Sequence, residues 1–193
     1  MTTEKFTHWM NLYHDKIQEQ KAYLTELDGP IGDSDHGANM ARGMTHVKEA
    51  LDTGAPDTPQ AVLKTTAMQL MSKVGGASGA LYGSAFMGMA KVLNEEGSNV
   101  ASMLEEGINM IQKRGKSEAG EKTMLDVWVP VQKAVAEGNL TATTIEDAVQ
   151  ATKPMKATKG RASYVGDRLI GHIDPGAMSS GYLFETALEA GVL

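Results

Sequence analysis

The sequence predicts an all-α fold, a closed up-and-down barrel or bundle of about eight antiparallel helices. Apolar residues recur with a period near 3.6 along almost the whole chain, which is typical of helices with one buried face. No alternating apolar run is long enough to predict a β-strand. The segments between the apolar stripes are short and rich in glycine, and short connections favour antiparallel neighbours.

The predicted helices follow the apolar stripes in chain order. The stripes extend over residues 6–27, 40–51, 59–74, 79–92, 100–111, 124–135, 145–152 and 183–188. Thr58 and Pro59 predict the start of the third helix, with threonine as N-cap and proline at the first helical position. We expect Pro130 to kink the sixth helix and Thr144 to cap the seventh. The eighth is expected after Asp174-Pro175-Gly176.

Composition limits the class of protein. The length of 193 residues suits one domain, expected over residues 1–193. A net charge of -6 argues against a nucleic-acid partner, and the absence of cysteine excludes disulfides and thiolate metal sites. No apolar run approaches the roughly 20 residues that span a bilayer, and the N-terminus lacks a signal-peptide layout. We therefore expect a cytoplasmic protein with no membrane partner.

An acidic loop carries the strongest chemical signal. Asp28, Asp33 and Asp35 fall within eight residues, on a segment that glycine and proline keep out of regular helix. Carboxylates this close repel one another, so a hard cation is their natural partner. The alternative is a solvated acidic turn in which Ser34 or Asp35 caps the next helix. The spacing does not match the calcium loop of an EF-hand.

A glycine-rich loop, Gly75-Gly76-Ala77-Ser78-Gly79, lies between two predicted helices. Small residues allow backbone N–H groups to approach an anion, and the following helix adds the positive end of its dipole. The alternative is a flexible turn between helices. The loop is not a Walker A motif, because no Gly-Lys-Ser/Thr closes it.

Further polar loops lie at residues 114–116, 120–126, 159–164 and 172–177. Each basic residue in them could simply be solvated, which is the usual state of Lys and Arg. Their occurrence together, between helices whose faces look structural, favours a shared site.

These motifs, Gly-Asp-x-Asp-His-Gly, Gly-Gly-Ala-Ser-Gly, Lys-Thr-Met-x-Asp and Gly-Arg-Ala-Ser-Tyr, occur in the order found in one family. The chain resembles the ADP-binding L subunits of dihydroxyacetone kinases and the C-terminal domain of the single-chain ATP-dependent enzymes. The resemblance implies a barrel of eight helices with the nucleotide at one end. It also implies two magnesium ions on Asp28, Asp33 and Asp35. It further assigns the nucleotide to His36, Gly37, Ala38, Asn39, Ala77, Ser78, Gly115, Met124, Arg161, Asp174, Pro175 and Gly176. Ala80 departs from the family, where proline often follows the serine loop.

The resemblance predicts a phosphotransferase subunit that depends on phosphoenolpyruvate. Bound ADP would be phosphorylated in place by a phosphohistidine protein of the phosphotransferase system, and the phosphoryl group would pass to dihydroxyacetone on a separate K-type subunit. Alternatives are a subunit that uses exchangeable ATP and a metal-dependent phosphohydrolase. A transcriptional regulator is a further partner known from some relatives. The sequence identifies no catalytic residue.

Overall fold

The computed structural model describes residues 1–31, 33–93 and 99–193. In these ranges the chain forms nine α-helices and no strand, which confirms the all-α prediction. The helices are α1 (Thr3–Glu19), α2 (Lys21–Asp28), α3 (His36–Gly54), α4 (Pro59–Lys73), α5 (Gly76–Val92), α6 (Val100–Gly115), α7 (Leu125–Glu137), α8 (Ala142–Gln150) and α9 (Pro175–Glu189). Short 3-10 turns lie at Gly29–Ile31, Arg161–Tyr164 and Gly166–Leu169. None of the described helices is both long and apolar enough to cross a membrane.

Eight of these helices close a ring. Each of α3 to α8 packs against the next helix in the chain, α9 packs against α8 and α1, and α1 packs against α3. The short α2 lies outside this order, against α3 and α9. Because neighbours in the ring alternate in direction, α3, α5, α7 and α9 all begin at the same end. The closed barrel expected from the sequence is confirmed, and its open end is where the polar loops meet.

Three element boundaries differ from the prediction. The first stripe is divided at Gln20 between α1 and α2, so the predicted helix over 6–27 is two helices. The prediction that Thr144 caps α8 was wrong, because the Thr141 side chain accepts a hydrogen bond from the Thr144 N–H. The helix α5 begins at Gly76 rather than Gly79, since Gly76 adopts a φ of +66° that lets the chain turn directly into the helix.

The barrel interior is filled by aromatic and methionine side chains. Trp9, Tyr13, Tyr82, Phe86 and Trp128 are all almost completely buried. The two indole N–H groups find acceptors, the Trp9 Nε1 on Leu183 O at 2.9 Å and the Trp128 Nε1 on Ser180 Oγ at 3.0 Å. Fully buried methionines, among them Met40, Met44, Met89 and Met103, fill the remaining irregular gaps. The solid core leaves the loops at the open end to form the functional surface.

Candidate nucleotide and metal site

The open end of the barrel holds a cavity of about 520 Å³. Residues at the starts of α3, α5 and α9 line it, together with Met124 immediately before α7 and the last turn of α6. Helix N-termini carry unpaired N–H groups and a partial positive charge. The positive ends of four helix dipoles therefore lie at this cavity.

The three aspartates of the acidic loop converge on one side of this cavity. One carboxylate oxygen from each of Asp28, Asp33 and Asp35 lies within 4.8 Å of the other two. Asp28 is buried, and its Oδ2 accepts the backbone N–H groups of Asp35 at 2.9 Å and His36 at 3.0 Å. Asp35 occupies the N-cap position of α3, but its side chain makes no capping hydrogen bond. The interpretation of Asp35 as a simple helix cap does not agree with this geometry.

The spacing of these carboxylates fits a hard divalent cation. Mg²⁺ binds oxygen at 2.0–2.1 Å in an octahedron, so ligands on opposite sides are about 4.2 Å apart. Carboxylate oxygens within 4.8 Å of one another are close to that requirement. Three negative groups at this separation need a positive counterpart, and the donor set is all oxygen, which magnesium prefers.

The glycine-rich loop lines another part of the cavity. Gly75 is the N-cap of α5 and has no side chain to cap it, and Gly76, Ala77 and Ser78 line the cavity. A Cβ atom at Gly79 would lie 2.4 Å from Val74 O, so only glycine permits the tight turn between α4 and α5. The first N–H groups of α5 are thus left without a side-chain acceptor at the cavity wall, the arrangement by which proteins bind phosphate.

His36 connects the helices that meet at the cavity. Its Nδ1 lies 3.1 Å from Ser78 Oγ and its Nε2 lies 2.9 Å from Ser179 Oγ, so one ring joins α3 to α5 and α9. Burial lowers the pKa of His36, and the nearby carboxylates of Asp28 and Asp35 oppose this shift. Both ring nitrogens contact hydroxyl groups, which suits a residue whose role is to hold these helices together.

A deeper part of the cavity wall is apolar. Leu81, Ile111 and Met124 line it, and Ile111 and Met124 are themselves buried. Gly115 belongs to the same wall, where a Cβ atom would lie 3.2 Å from Leu81 Cδ2. An apolar wall that includes a glycine is suited to contact with a planar ring.

The start of α9 contributes a buried carboxylate. Asp174 Oδ2 accepts the backbone N–H of Ala177 at 2.8 Å and so caps the helix. Burial raises the pKa of Asp174 to about 7, while the Ala177 hydrogen bond and the Lys122 ammonium act in the opposite direction. Burial likewise lowers the pKa of Lys122, and the carboxylates of Asp174 and Asp126 oppose that change.

Arginine stands at the mouth of the cavity beside the acidic cluster. The Arg161 Nε lies 3.0 Å from Asp33 Oδ2, and the Arg161 side chain is 68% exposed. Lys159 lines the same rim and pairs with Glu121 at 3.5 Å. The mouth therefore carries exposed positive charge next to the three carboxylates.

Most of the residues singled out in the sequence are brought to this cavity. Its wall includes Asp28, Asp33, Asp35, His36, Asn39, Ala77, Ser78, Gly115, Met124, Arg161, Asp174, Pro175 and Gly176. Gly37 and Ala38 are not on the wall. A Cβ atom at Gly37 would lie 2.1 Å from Lys21 O, so this glycine permits the close approach of α2 and α3. Gly32 of the acidic motif lies outside the described residues.

Sequence reasoning missed some wall residues altogether, namely Ile31, Ala80, Leu81, Tyr82, Ile111 and Ser117. Others lie in loops that the sequence had already indicated, without being singled out one by one: Gly75, Gly76, Arg114, Lys122, Thr123, Lys159, Gly160 and Ala162. Leu81, Tyr82 and Ile111 belong to regular apolar stripes, and such a position cannot be distinguished from core by its period alone. Lys122 and Thr123 lie in a motif quoted above, and that motif was the available signal.

An all-helical barrel whose open end brings a carboxylate cluster and an uncapped helix N-terminus into one cavity is of the class suited to a phosphorylated ligand with metal ions. The chain belongs to the DAK2 domain family, whose model matches residues 30–189. It is 50% identical over 189 residues to the PTS-dependent dihydroxyacetone kinase, ADP-binding subunit DhaL, of Lactococcus lactis, and covers 98% of each chain. It is 40% identical to the ADP-binding subunit DhaL of the PEP-dependent dihydroxyacetone kinase of Escherichia coli, over 96% of this chain and 95% of that one.

A solved structure has the same fold. The dihydroxyacetone kinase of C. freundii, in complex with AMP-PNP and Mg²⁺, superimposes with a TM-score of 0.77 at 22% sequence identity. The match covers 95% of this chain and 33% of that longer chain. The likeness supports the all-α architecture derived above.

Proposed function

We propose that this chain is the ADP-binding subunit of a dihydroxyacetone kinase driven by phosphoenolpyruvate, with residues 1–193 forming one nucleotide-binding domain. The observation that carries the proposal is that Asp28, Asp33 and Asp35 line the same cavity as the uncapped start of α5. Relatives at 50% and 40% identity over nearly the whole chain, both called ADP-binding subunits, support it.

The chemistry of the cavity divides into three parts. The three aspartates would hold two Mg²⁺ ions, which neutralise the phosphates and keep them in place. Backbone N–H groups of Ala77 and Ser78, with Asn39 nearby, would receive phosphate oxygens at the start of α5. Gly115 and Met124 would hold the base against the apolar wall, and Asp174, Pro175 and Gly176 would border it. Gly37 and Ala38 lie in the first turn of α3 and are not among the residues that line the cavity.

The number of metal ions that we propose is based on the negative charge of the three aspartates and the nucleotide. Three carboxylates and ADP together bring roughly six negative charges, and one divalent ion would leave most of them unbalanced. Two ions supply about four positive charges, and the Arg161 guanidinium reduces the remainder. The site is therefore proposed to bind two ions together with the nucleotide.

The reaction proposed for this subunit is a relay. A phosphohistidine protein transfers its phosphoryl group to the terminal phosphate of bound ADP, so a P–N bond breaks and a P–O bond forms. The same phosphoryl group then passes to a hydroxyl of dihydroxyacetone held on a separate K-type subunit, and ADP is regenerated. Such transfers need positioning and charge neutralisation rather than covalent chemistry from the protein. We propose that Arg161, which is exposed at the mouth, contacts both partners in turn.

The alternatives differ in identifiable features. A metal-dependent phosphohydrolase needs a base for water, and His36 has both ring nitrogens engaged with serine hydroxyls. A subunit using exchangeable ATP would have the same site and differ in how fast the nucleotide leaves. A transcriptional regulator as a further partner, and a cytoplasmic location, stay predictions from the sequence.

The amounts of nucleotide and magnesium bound to the purified protein test the proposal. Protein prepared without added nucleotide is denatured, and the released nucleotide and magnesium are quantified. We expect ADP close to one per chain and two magnesium ions per ADP. Protein that contains no nucleotide and does not bind added ADP with Mg²⁺ would contradict the proposal.

A further inference from the structure

Lys122 is a buried lysine whose ammonium group is engaged by backbone carbonyls. Its Nζ donates to Thr152 O at 2.6 Å, to His172 O at 2.6 Å and to Lys153 O at 3.4 Å. An ammonium group has three N–H donors, so these acceptors account for all of them. Only 4% of Lys122 is exposed, although lysine is almost never fully buried without partners. Lys122 borders the cavity but has no donor left for a ligand.

The three carbonyls lie at the two ends of one loop. Residues 153–172, which we call the arginine loop, begin directly after Thr152, which follows the end of α8 at Gln150, and end at His172, ahead of the start of α9 at Pro175. The arginine loop carries Lys159, Gly160, Arg161 and Ala162 to the cavity wall. Its base is also closed by the Gly171 N–H, which donates to Lys153 O at 2.7 Å. The Lys122 ammonium therefore lies between the outgoing and returning chains.

Lys122 also has an unusual backbone conformation. Lys122 has a φ of +60°, in the left-handed region that favours glycine. The turn around it is fixed from α7, since the Asp126 carboxylate accepts the N–H groups of Gly120 and Thr123. In this conformation the Lys122 side chain reaches the carbonyls of Thr152 and His172.

We propose that Lys122 is a positioning residue: by joining the two ends of the arginine loop, its ammonium sets Arg161 over the nucleotide cavity. Arg161 lies 3.0 Å from Asp33, so a displaced arginine loop alters the charge beside the carboxylate cluster. The effect on nucleotide rests on the function proposed above, whereas the effect on the loop does not.

The test uses two readouts on the full chain with Lys122→Met. Hydrogen exchange of the protein without nucleotide should be faster across residues 153–172 and unchanged in α3 to α6. The affinity for ADP with Mg²⁺ should fall about tenfold or more, a loss of about 1.4 kcal/mol. Lys116→Met is the matched control, because Lys116 is also left-handed at a φ of +50° but is exposed. The control should match the wild type in both measurements.

A second variant keeps the test decisive if Lys122→Met does not fold. Lys122→Gly removes the ammonium and relaxes the backbone, and it should show the same two changes. A double-mutant cycle with Arg161→Ala should be less than additive for ADP affinity, because both changes act through Arg161. Wild-type exchange in the arginine loop, or additive losses in the cycle, would overturn the proposal. Failure of the wild type to bind ADP would contradict the proposed function but leave the exchange result to decide the role of Lys122.

Discussion

The buried carboxylate of Asp28 accepts the backbone N–H of Asp35 at 2.9 Å, so the last residue of α2 fixes the residue that precedes α3. The same oxygen accepts the His36 N–H at 3.0 Å. One acidic residue thus holds the loop closed, while the other two extend their carboxylates toward the same point. The three aspartates of the acidic loop therefore have different structural roles, although they look equivalent in the sequence.

Alanine substitutions should distinguish the structural role of Asp28 from the ligand-binding role that it shares with Asp35. Asp28→Ala leaves two backbone N–H groups without their acceptor, and we expect the free energy of unfolding without ligands to fall by about 1–3 kcal/mol. Asp35→Ala removes no capping hydrogen bond, and the change should stay within about 0.5 kcal/mol. Both variants should lose ADP binding in the presence of Mg²⁺. Denaturant unfolding and calorimetric titration measure the two effects, and equal stability losses would contradict the distinction.

Gly37 should behave as a packing residue. In Gly37→Ala the new Cβ meets Lys21 O and Thr25, whose backbone must move, and we expect a destabilisation of about 1–3 kcal/mol. Gly54→Ala on the same helix is the control, because nothing lies within 4 Å of its Cβ position. Its helix propensity should make it neutral or stabilising by up to about 1 kcal/mol. A Gly37→Ala protein as stable as the Gly54→Ala protein would show that α2 and α3 do not meet so closely.

The contrast between Gly37 and its neighbours shows how far the sequence could predict the site. Asp28, Asp33 and Asp35 were identifiable because three close carboxylates have few purposes other than a cation. Gly37 lies inside the same motif, and the sequence could not separate a glycine that receives a ligand from one that admits a neighbouring helix. That distinction depends on the position of Lys21 O, which is set by the tertiary packing of α2.

The fold was easier to predict from the sequence than the ends of its helices. Periodic apolar stripes and short loops predicted the barrel, because each helix must bury one face against its neighbours. The break at Gln20 was not visible, since the stripe from Phe6 to Leu27 continues across it. Lys122 was also missed as a buried residue, because lysine in a loop is ordinarily solvated and only the three carbonyls around it reveal its role.

The titration of Asp174 should appear in the pH dependence of stability. Its pKa is raised from 3.8 to about 7 by burial, so the folded protein binds this proton more tightly than the unfolded chain. Its contribution to stability is therefore complete below pH 3.8 and is lost as the pH rises through about 7. Asp174→Asn keeps an acceptor for the start of α9 and cannot ionise.

Unfolding of ligand-free protein in denaturant at several pH values checks this expectation. The stability of Asp174→Asn relative to the wild type should increase between pH 4 and pH 8, by at most about 4 kcal/mol. A difference that is constant over this range would show that Asp174 does not titrate near neutrality in the folded protein.

Removal of metal should lower thermal stability. A ligand bound only by the folded state stabilises it by about 4 kcal/mol at a thousandfold excess over Kd. For a chain of this size, EDTA should therefore lower the melting temperature of the ADP complex by about 8 °C or more. The Asp35→Ala protein serves as the control, because it should show no shift with EDTA. An unchanged melting temperature in the wild type would exclude metal-dependent binding at the aspartates.

The most direct measurement follows labelled ADP on this subunit through turnover. The nucleotide is proposed to be held by metal ions, by the start of α5 and by the arginine loop, so several charge-assisted contacts must break before it leaves. Protein loaded with radiolabelled ADP is supplied with the K-type subunit, the phosphohistidine donor and dihydroxyacetone, and is passed over a desalting column after many product-forming cycles. The account predicts that the label stays with the protein and that free ATP supports the reaction only poorly. Loss of the label within a few turnovers, with ATP driving full activity, would contradict it.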